Sequence, residues 1–285
     1  MNILGFFLKI LKLKAEINSM KSIFFIFKEQ VQNLYLIKRL ANFEIRISNT
    51  NNYLGTAWEL INPLIQVSIY WFIFGLGFKN NSAMEGVPFI YWLIVGISMW
   101  FFVNQGVLDG TRSIASKYNQ VAKMNFPISI LPSYVVFSKF YGHIGLLIIV
   151  MITCAIGGYT PTIYTLQLLI FIPYTLALTT SIAILTSTIN VIIRDTQMVI
   201  QAFMRLIFFV SSILYIPDNQ IVLTVIKFNP IYFLAEGYRA SILHKEWFFI
   251  THWQLAIYNI LFLIIVFSLG AILNKKYRDY FADFI

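Results

Sequence analysis

The stretch FYGHIGLLIIVMITCAIGGYTPTIYTLQLLIFIPYTLALTTSIAILTSTINVII, residues 140–193, decides the fold. Its 54 positions contain no Asp, Glu, Lys or Arg, and one histidine, His143. A helix needs about 20 apolar residues to cross the hydrocarbon core of a bilayer, so this run is long enough for two crossings. Because Gly157-Gly158-Tyr159-Thr160-Pro161 is rich in turn-forming residues, the sequence predicts one span at 140–157 and the next at 166–190.

Further apolar runs lie on both sides of this stretch. Hydrophobic residues make up 59% of the 285-residue chain and charged residues 12%, against about 45–50% and about 25% in soluble domains. A chain of this composition cannot cover a globule with polar groups, so much of its surface must face lipid. The sequence therefore predicts an all-α membrane protein with six transmembrane helices, at about 60–78, 86–108, 140–157, 166–190, 196–216 and 254–274.

The segment between the fifth and sixth predicted spans is less regular. Residues 220–226 are apolar but too few to cross, and Asn229-Pro230 is a typical start for a helix that continues to Leu243. We interpret the segment as short external re-entrant helices, and the alternative is an ordinary external loop of amphipathic character. Glu236 and Arg239 lie three positions apart and are predicted to pair on one helix face.

The distribution of basic residues predicts the orientation. If the N-terminus is cytoplasmic, 17 of the 21 Lys and Arg residues fall in inner segments and 4 in outer ones. The positive-inside rule then places both termini in the cytoplasm of a multi-pass plasma-membrane protein. The net charge of +9 is concentrated outside the apolar runs, which is typical of contacts with membrane lipids and argues against a nucleic-acid partner.

The region before the first span divides into two parts. Residues 1–33 are predicted to be an N-terminal cytoplasmic extension, and residues 34–285 the permease domain with its six spans. Leu34, Ile37, Ala41 and Ile45 fall on one helical face, which is typical of a helix in the inner headgroup plane. The helix is either a plain anchor or a lever that transmits force to the first span. The opposite, polar face carries Arg39, Asn42 and Arg46.

The second inner segment, DGTRSIASKYNQVAKMNFPISILPSYVVFSK at residues 109–139, is too long for a minimal turn. Pro127 and Pro132 are expected to break its helical continuity. We predict a short helix over Ser116 to Asn125, parallel to the membrane, that offers a docking surface to a cytoplasmic partner. The alternative is a positively charged loop without a partner.

Motifs for nucleotide binding or catalysis are missing from the sequence. There is no G-x-x-x-x-G-K-[ST] phosphate loop, no H-E-x-x-H and no G-x-S-x-G, so we predict no catalytic site and no cofactor in this chain. The single cysteine, Cys154, lies in an apolar run and has no metal-binding spacing. A secondary transporter or channel would need coupling charges within its spans, and only Arg205 and His143 approach that. A membrane enzyme is the third alternative.

Four segments in order resemble the permease subunits of ATP-binding-cassette exporters of cell-surface polysaccharides. They are NYLGTAWELINPLIQVSIYWFIFGLGFK at 52–79, KMNFPISILP at 123–132, RDTQMVIQAFMRLIFFVSSILYIP at 194–217 and NPIYFLAEGYRASIL at 229–243. Within that family, VPFIYWLIVGISMWFFVNQGVLDGT at 87–111 and KYRDYFADFI at 276–285 are similar to the teichoic acid translocation permease of Gram-positive cell walls.

This resemblance implies partners, cargo and cofactors. The permease would pair with a second copy of itself and with two ATP-binding-cassette ATPase subunits, which bind ATP and Mg. The cargo would be a lipid-linked teichoic acid, a polyol phosphate polymer on undecaprenyl diphosphate, in a Gram-positive plasma membrane. The alternative cargo is another lipid-linked surface polysaccharide such as O-antigen or capsule. The docking segment would become the ATPase-coupling helix, with Lys117, Tyr118, Asn119, Lys123, Met124, Asn125, Phe126 and Pro127.

The resemblance also implies a substrate path. The first and fifth spans would face the partner protomer, and Arg205 would be a candidate to hold phosphate, with the alternatives of reaching the inner surface or of an inter-helix hydrogen bond. The family often has Ser-Pro where Ser211-Ser212 stands here, which predicts a straighter fifth span. The candidate path residues are Trp71, Phe74, Arg194, Arg205, Phe208 and Phe209, with packing or lipid contact as the alternative for the aromatic ones.

Overall fold

A computed structural model describes residues 20–48, 52–76, 86–122, 126–217, 219–244 and 246–281. Within these ranges the chain is helical almost throughout. The helices are α1 (20–32), α2 (Leu34–Ser48), α3 (Trp58–Tyr70, continued by a π-helical turn Trp71–Leu76), α4 (Phe89–Val121), α5 (Ile130–Ile156), α6 (Leu168–Ile192, preceded by the 3-10 turn Ile163–Gln167), α7 (Thr196–Phe209), α8 (Gln220–Lys227), α9 (Pro230–Arg239, continued by the π-helical turn Ala240–His244), α10 (Phe248–Thr251) and α11 (Trp253–Tyr277).

Helix α4 forms the centre of the bundle. In its most apolar stretch 72% of the residues are buried inside the protein, against 28% for α11, so α11 presents most of its surface to lipid. Helices α5, α6, α7 and α9 pack around α4, and α11 packs on α6. Charge-free runs of Val, Ile, Leu and Phe thus make both the core and the lipid-facing surface, as expected where lipid is as apolar as the interior.

Four helices in the described ranges are long and apolar enough to cross a membrane, which confirms an all-helical membrane protein. They are Phe89–Val121, Ile130–Ile156, Ile163–Ile192 and Trp253–Tyr280. Helix α7, with 14 residues, is shorter than these four, and α3 with its π-helical turn is not among them. The predicted count of six spans stays a prediction, as does the division at residue 33.

The predicted membrane-parallel helix at Ser116 to Asn125 is wrong over its described part. Helix α4 runs without interruption to Val121, and its 33 residues extend about 50 Å, well beyond the ~30 Å of a hydrocarbon core. No proline interrupts residues 109–121, and Thr111, Ser113 and Ile114 are buried, so the second span simply continues into the inner segment.

Pro132 and Pro63 occupy different places in their helices, and the place of Pro132 differs from the prediction. Pro132 was expected to break a helix, but α5 begins at Ile130, so Pro132 lies in the first turn, where its missing N–H costs little. The first predicted span, at about 60–78, begins slightly earlier in the structure, because α3 begins at Trp58 after a turn at Gly55, which has a φ of 50°. Pro63 therefore lies inside α3, where the carbonyl of Glu59 loses its helical donor.

The fifth predicted span, at about 196–216, does not continue as one straight helix to its predicted end. Helix α7 ends at Phe209, and Ser212 adopts a φ of 51°, in the left-handed region. The Ser211 hydroxyl donates to the carbonyl of Ile207 and accepts from the Asn229 amide at 2.8 Å. These bonds stabilise a turn at this point without a proline, so the prediction from Ser211-Ser212 is wrong.

Short helices fill the segment between α7 and α11. Asn219 caps α8 by accepting from the Ile221 amide at 2.9 Å, and Asn229 caps α9 by accepting from the Ile231 amide at 3.0 Å. Helix α8 is largely exposed, whereas most of α9 is buried against α4 and α6. That this segment enters the membrane from outside stays a prediction.

Candidate functional site

Helices α4 and α5 meet at the ends that the sequence predicts to be cytoplasmic. We call this region the inner elbow, and it consists of residues 114–122, residues 126–129 and the first turns of α5. A second apolar cluster, separate from the main core, holds it together. Its buried members come from α2, α4, α5, α6 and the C-terminal segment: Ile37, Ile114, Ile130, Leu131, Tyr134, Val135, Val191 and Phe281.

Helix α2 is attached to the inner elbow by an ion pair. Lys117 Nζ on α4 lies 2.5 Å from Glu44 Oε2 on α2 and 5.3 Å from the centre of the Tyr134 ring on α5. Both charged side chains are largely shielded from solvent. Three helices therefore share one partly buried cation, which couples the position of α2 to that of the elbow.

Both ends of the described chain also reach the elbow. Glu29 on α1 pairs with Arg278 at 2.9 Å and accepts from the Ser129 hydroxyl. The Gln30 amide donates to the Ser129 carbonyl at 2.9 Å. The elbow is thus joined by hydrogen bonds and ion pairs to α1, to α2 and to the C-terminal segment.

The predicted coupling residues divide into a packed group and an exposed group. Lys117 and Tyr118 are half-buried, and the Tyr118 ring packs edge-on against Phe281 at 6.4 Å between ring centres. Phe126 and Pro127 are half-buried, and Phe126 packs against the elbow cluster. Asn119 is exposed, as a docking residue would be. Lys123, Met124 and Asn125 lie outside the described residues.

The predicted amphipathic character of α2 agrees with the structure. Ile37 and Ala41 are buried against the bundle, whereas Leu34 is exposed. The three residues predicted for the polar face are all exposed: Arg39, Asn42 and Arg46.

The predicted path residues do not form one continuous lining in the single chain. Phe208 is buried and its ring lies 5.3 Å from that of Trp100 and 5.7 Å from that of Tyr70, so it packs α7 against α3 and α4. Trp71 and Phe209 are exposed. The remaining members are exposed or not described at side-chain level: Arg194 and Arg205 are exposed, and the Phe74 side chain lies outside the description.

Helices α3 and α7 each present an apolar face without a partner in the single chain. The exposed residues of α3 and its π-helical turn are Leu64, Ile65, Ile69, Trp71, Phe72 and Ile73. Those of α7 are Met198, Val199, Phe203, Leu206 and Phe209.

A cavity between α3, α4 and α5 was not predicted from the sequence. It has a volume of about 470 Å³ and is lined by Ser48, Asn52, Trp58, Glu59, Asn62, Gln105 and Lys139. Lys139 Nζ lies 3.5 Å from Glu59 and 3.4 Å from Asp109, which also pairs with Arg112 at 3.1 Å. The sequence feature that could have indicated this cavity is the pair of side-chain amides, Asn62 and Gln105, in predicted spans that otherwise have few polar groups.

The outer end of α7 is held by a buried arginine. Glu236 and Arg239 pair at 2.6 Å, as predicted, but Arg239 is 0% exposed and also donates to the carbonyls of Trp92 at 3.2 Å, Ser212 at 3.0 Å and Ile213 at 3.2 Å. Its guanidinium lies 3.3 Å from the centre of a Trp92 ring, a cation–π contact. We call this arrangement the outer clamp. The sequence did not predict its burial, because the partners come from α4 and from the turn after α7.

His143 is a packing residue with a hydrogen bond. Its Nε2 lies 3.0 Å from the Tyr238 hydroxyl, which is 3.3 Å from the Thr175 hydroxyl, and its ring stacks on Phe102. Within the described ranges, no three His, Cys, Asp or Glu side chains form a group that could hold a metal ion.

Comparison with known proteins places these features in a family. A family model described as ABC-2 type transporter matches residues 35–243. The O-antigen export system permease protein RfbA of Myxococcus xanthus is 26% identical over 222 residues, which cover 75% of this chain and 82% of the relative. Two proteins of the same name from Klebsiella pneumoniae are each 23% identical, over 199 residues (69% of this chain and 75% of the relative) and over 239 residues (79% and 91%). Since the matched region spans the amphipathic helix, the elbow and the outer clamp, the chain belongs to the ABC-2 type transporter family.

Proposed function

We propose that this chain is the membrane permease subunit of an ATP-binding-cassette exporter that moves a lipid-linked surface polysaccharide across the plasma membrane. The observation that carries the proposal is the inner elbow. It offers an exposed tip at Asn119, and it is joined through Lys117 and Glu44 to α2, which leads to α3. Such an arrangement can pass motion from a cytoplasmic motor to the spans.

The energy would come from partner subunits. Two ATPase subunits would bind ATP and Mg and press on the two elbows of a permease dimer. A second copy is the other proposed partner, as the family resemblance implies, and the exposed apolar faces of α3 and α7 are the surfaces that would meet it. In this assembly α3 and α7 complete six spans, and both termini lie in the cytoplasm.

The cargo is proposed at the level of a lipid-linked glycan. The relatives are named for O-antigen export, one of the two alternatives that the sequence left open. Teichoic acid and a Gram-positive source rest only on the resemblance of residues 87–111 and 276–285. An O-antigen-like polysaccharide is therefore the better supported cargo.

Gentle purification of the chain with its cellular neighbours tests the assembly. We expect an ATPase subunit in equal amount with the permease, and we expect Phe126→Ala with Pro127→Ala to lower its recovery. Tyr35→Ala, an exposed aromatic residue on α2 away from the elbow tip, is the matched control. Recovery of the chain without any ATPase under conditions that preserve its dimer would contradict the proposal.

A further inference from the structure

We propose that the cavity between α3, α4 and α5 binds a sugar ring of the cargo, next to its lipid anchor, and thereby selects a glycan over a bare lipid diphosphate. This proposal rests on the function proposed above and adds a recognition site to it. The cavity volume of about 470 Å³ is within the range of small-molecule sites and is large enough for one or two sugar rings.

The lining has the chemistry that sugars require. Trp58 supplies a flat apolar ring that can pack on the C–H face of a pyranose, and Asn62 and Gln105 supply carboxamides that both donate and accept. Among the described residues, the side-chain amides of Asn62 and Gln105 have no hydrogen-bond partner. Each amide is therefore available to a ligand hydroxyl.

The basic and acidic side chains around the cavity neutralise one another. Lys139, the one basic side chain among the described lining residues, lies between Glu59 and Asp109, so its charge is already compensated. Binding a phosphate there would place an anion beside two carboxylates and would break the Lys139 ion pairs. A neutral ligand with many hydroxyls avoids that repulsion. The cavity thus favours sugar over phosphate.

The position of the cavity fits an entrance. It lies where α3 begins and where Asp109 and Lys139 mark the inner ends of the second and third predicted spans. From it, Asn62 and Gln66 follow one another along α3, and both are exposed. Exposed amides at membrane depth are costly in contact with lipid, so they indicate a polar neighbour such as cargo or water.

The test compares two lipids on the purified permease–ATPase complex in lipid nanodiscs. The probes are undecaprenyl diphosphate and the same lipid carrying one N-acetylglucosamine. We expect the complex to bind the sugar-bearing lipid about tenfold more tightly, which is the effect of one or two good hydrogen bonds. Asn62→Ala and Gln105→Ala should each remove most of this difference while leaving the affinity for undecaprenyl diphosphate unchanged. Trp58→Ala should do the same, and Trp58→Phe should retain part of the preference.

Matched controls separate the site from general damage. Asn104→Ala changes the residue beside Gln105 on α4, and Ser68→Ala removes a hydroxyl of α3 that donates to the Leu64 carbonyl; neither lines the cavity. Both should keep the full preference for the sugar-bearing lipid.

The outcomes distinguish this proposal from the one on which it rests. Equal affinity of the unmodified complex for the two lipids, or equal losses for both lipids in Asn62→Ala and Gln105→Ala, would overturn the sugar site and leave the exporter intact. Failure of the assembled complex to bind either lipid would contradict the lipid-linked cargo itself.

Discussion

Two acid–arginine pairs with the same three-residue spacing lie in opposite environments in this chain. On α4, just before the inner elbow, Asp109 and Arg112 are 33% and 58% exposed, and Asp109 is shared with Lys139. In the outer clamp, Glu236 and Arg239 are 10% and 0% exposed, and the guanidinium donates to three carbonyls as well. Solvated pairs exchange partners at little cost, whereas a desolvated cation cannot leave its acceptors. We therefore expect the Asp109–Arg112 pair to yield more readily than the outer clamp.

Removal of the outer guanidinium should be the most damaging change. We expect Arg239→Met to lower the free energy of unfolding by about 3–5 kcal/mol, because Glu236 and three carbonyls lose their donor within the core. The measurement is thermal unfolding of the detergent-solubilised chain.

Arg112→Met is the matched variant, since it breaks the exposed pair with the same spacing. It should cost about 0–1 kcal/mol. Comparable losses of unfolding free energy in Arg112→Met and Arg239→Met would contradict the difference proposed between the two pairs.

The close approach of α4 to the clamp gives a second test. A Cβ on Gly96 would overlap the Arg239 guanidinium, so Gly96→Ala should cost about 1–3 kcal/mol by displacing it. Gly145→Ala is the control, because its Cβ would meet only the flexible end of Leu60, at 3.2 Å. The control should change stability by about 1 kcal/mol or less, with helix propensity favouring alanine. The measurement is the unfolding midpoint of each variant. An unchanged midpoint for Gly96→Ala would show that the Arg239 side chain can move aside without loss of stability.

The ion pair of the inner elbow should affect coupling as well as stability. We expect Lys117→Met or Glu44→Gln to lower the free energy of unfolding by about 1–3 kcal/mol, less than Arg239→Met, and to lower the amount of cargo moved per ATP. The measurement is transport and hydrolysis by the same reconstituted vesicles.

The exchanged pair, Glu44→Lys with Lys117→Glu, should restore part of the coupling. Lys38→Met, an exposed lysine of α2, is the control and should leave the transport ratio unchanged. Unaltered coupling in Lys117→Met would mean that α2 is only an anchor.

Arg205 gives the mildest expected change in stability. Because this arginine is exposed on α7, Arg205→Ala should alter the free energy of unfolding by about 0.5 kcal/mol or less, while cargo-stimulated ATP hydrolysis should fall. Gln201→Ala, one turn earlier on the same helix, is the control for a general effect on α7. If cargo stimulated ATP hydrolysis equally well in Arg205→Ala, a role of Arg205 at the inner membrane surface would be favoured over contact with cargo.

Much of the fold could be predicted because lipid imposes a simple pattern. The charge-free run of residues 140–193 predicts two long helices with a turn, and the structure places the turn at Gly157 and Gly158, with a φ of 93° at Gly158. The amphipathic face of α2 was also readable, because residues that face a bundle recur with the helical period.

The sites were less predictable because their parts are distant in sequence. Glu29 and Arg278 are 249 positions apart, and Arg239 and Trp92 are 147 apart. The spacing of Glu236 and Arg239 predicted their pairing but not their burial, which depends on Gly96 leaving room on α4. The effect of Pro132 was also predicted wrongly. A proline in the first turn of a helix is tolerated, whereas one inside a helix, such as Pro63, removes a backbone hydrogen bond, and the local sequence does not distinguish the two cases.

Transport by reconstituted vesicles tests the central claim most directly. Vesicles would contain either this chain alone or the chain with its ATPase partner, and the appearance of a lipid-linked glycan on the opposite leaflet would be followed with and without ATP. The account predicts movement only when both proteins and ATP are present. Movement driven by the chain alone, or ATP hydrolysis by the purified chain without a partner, would contradict it.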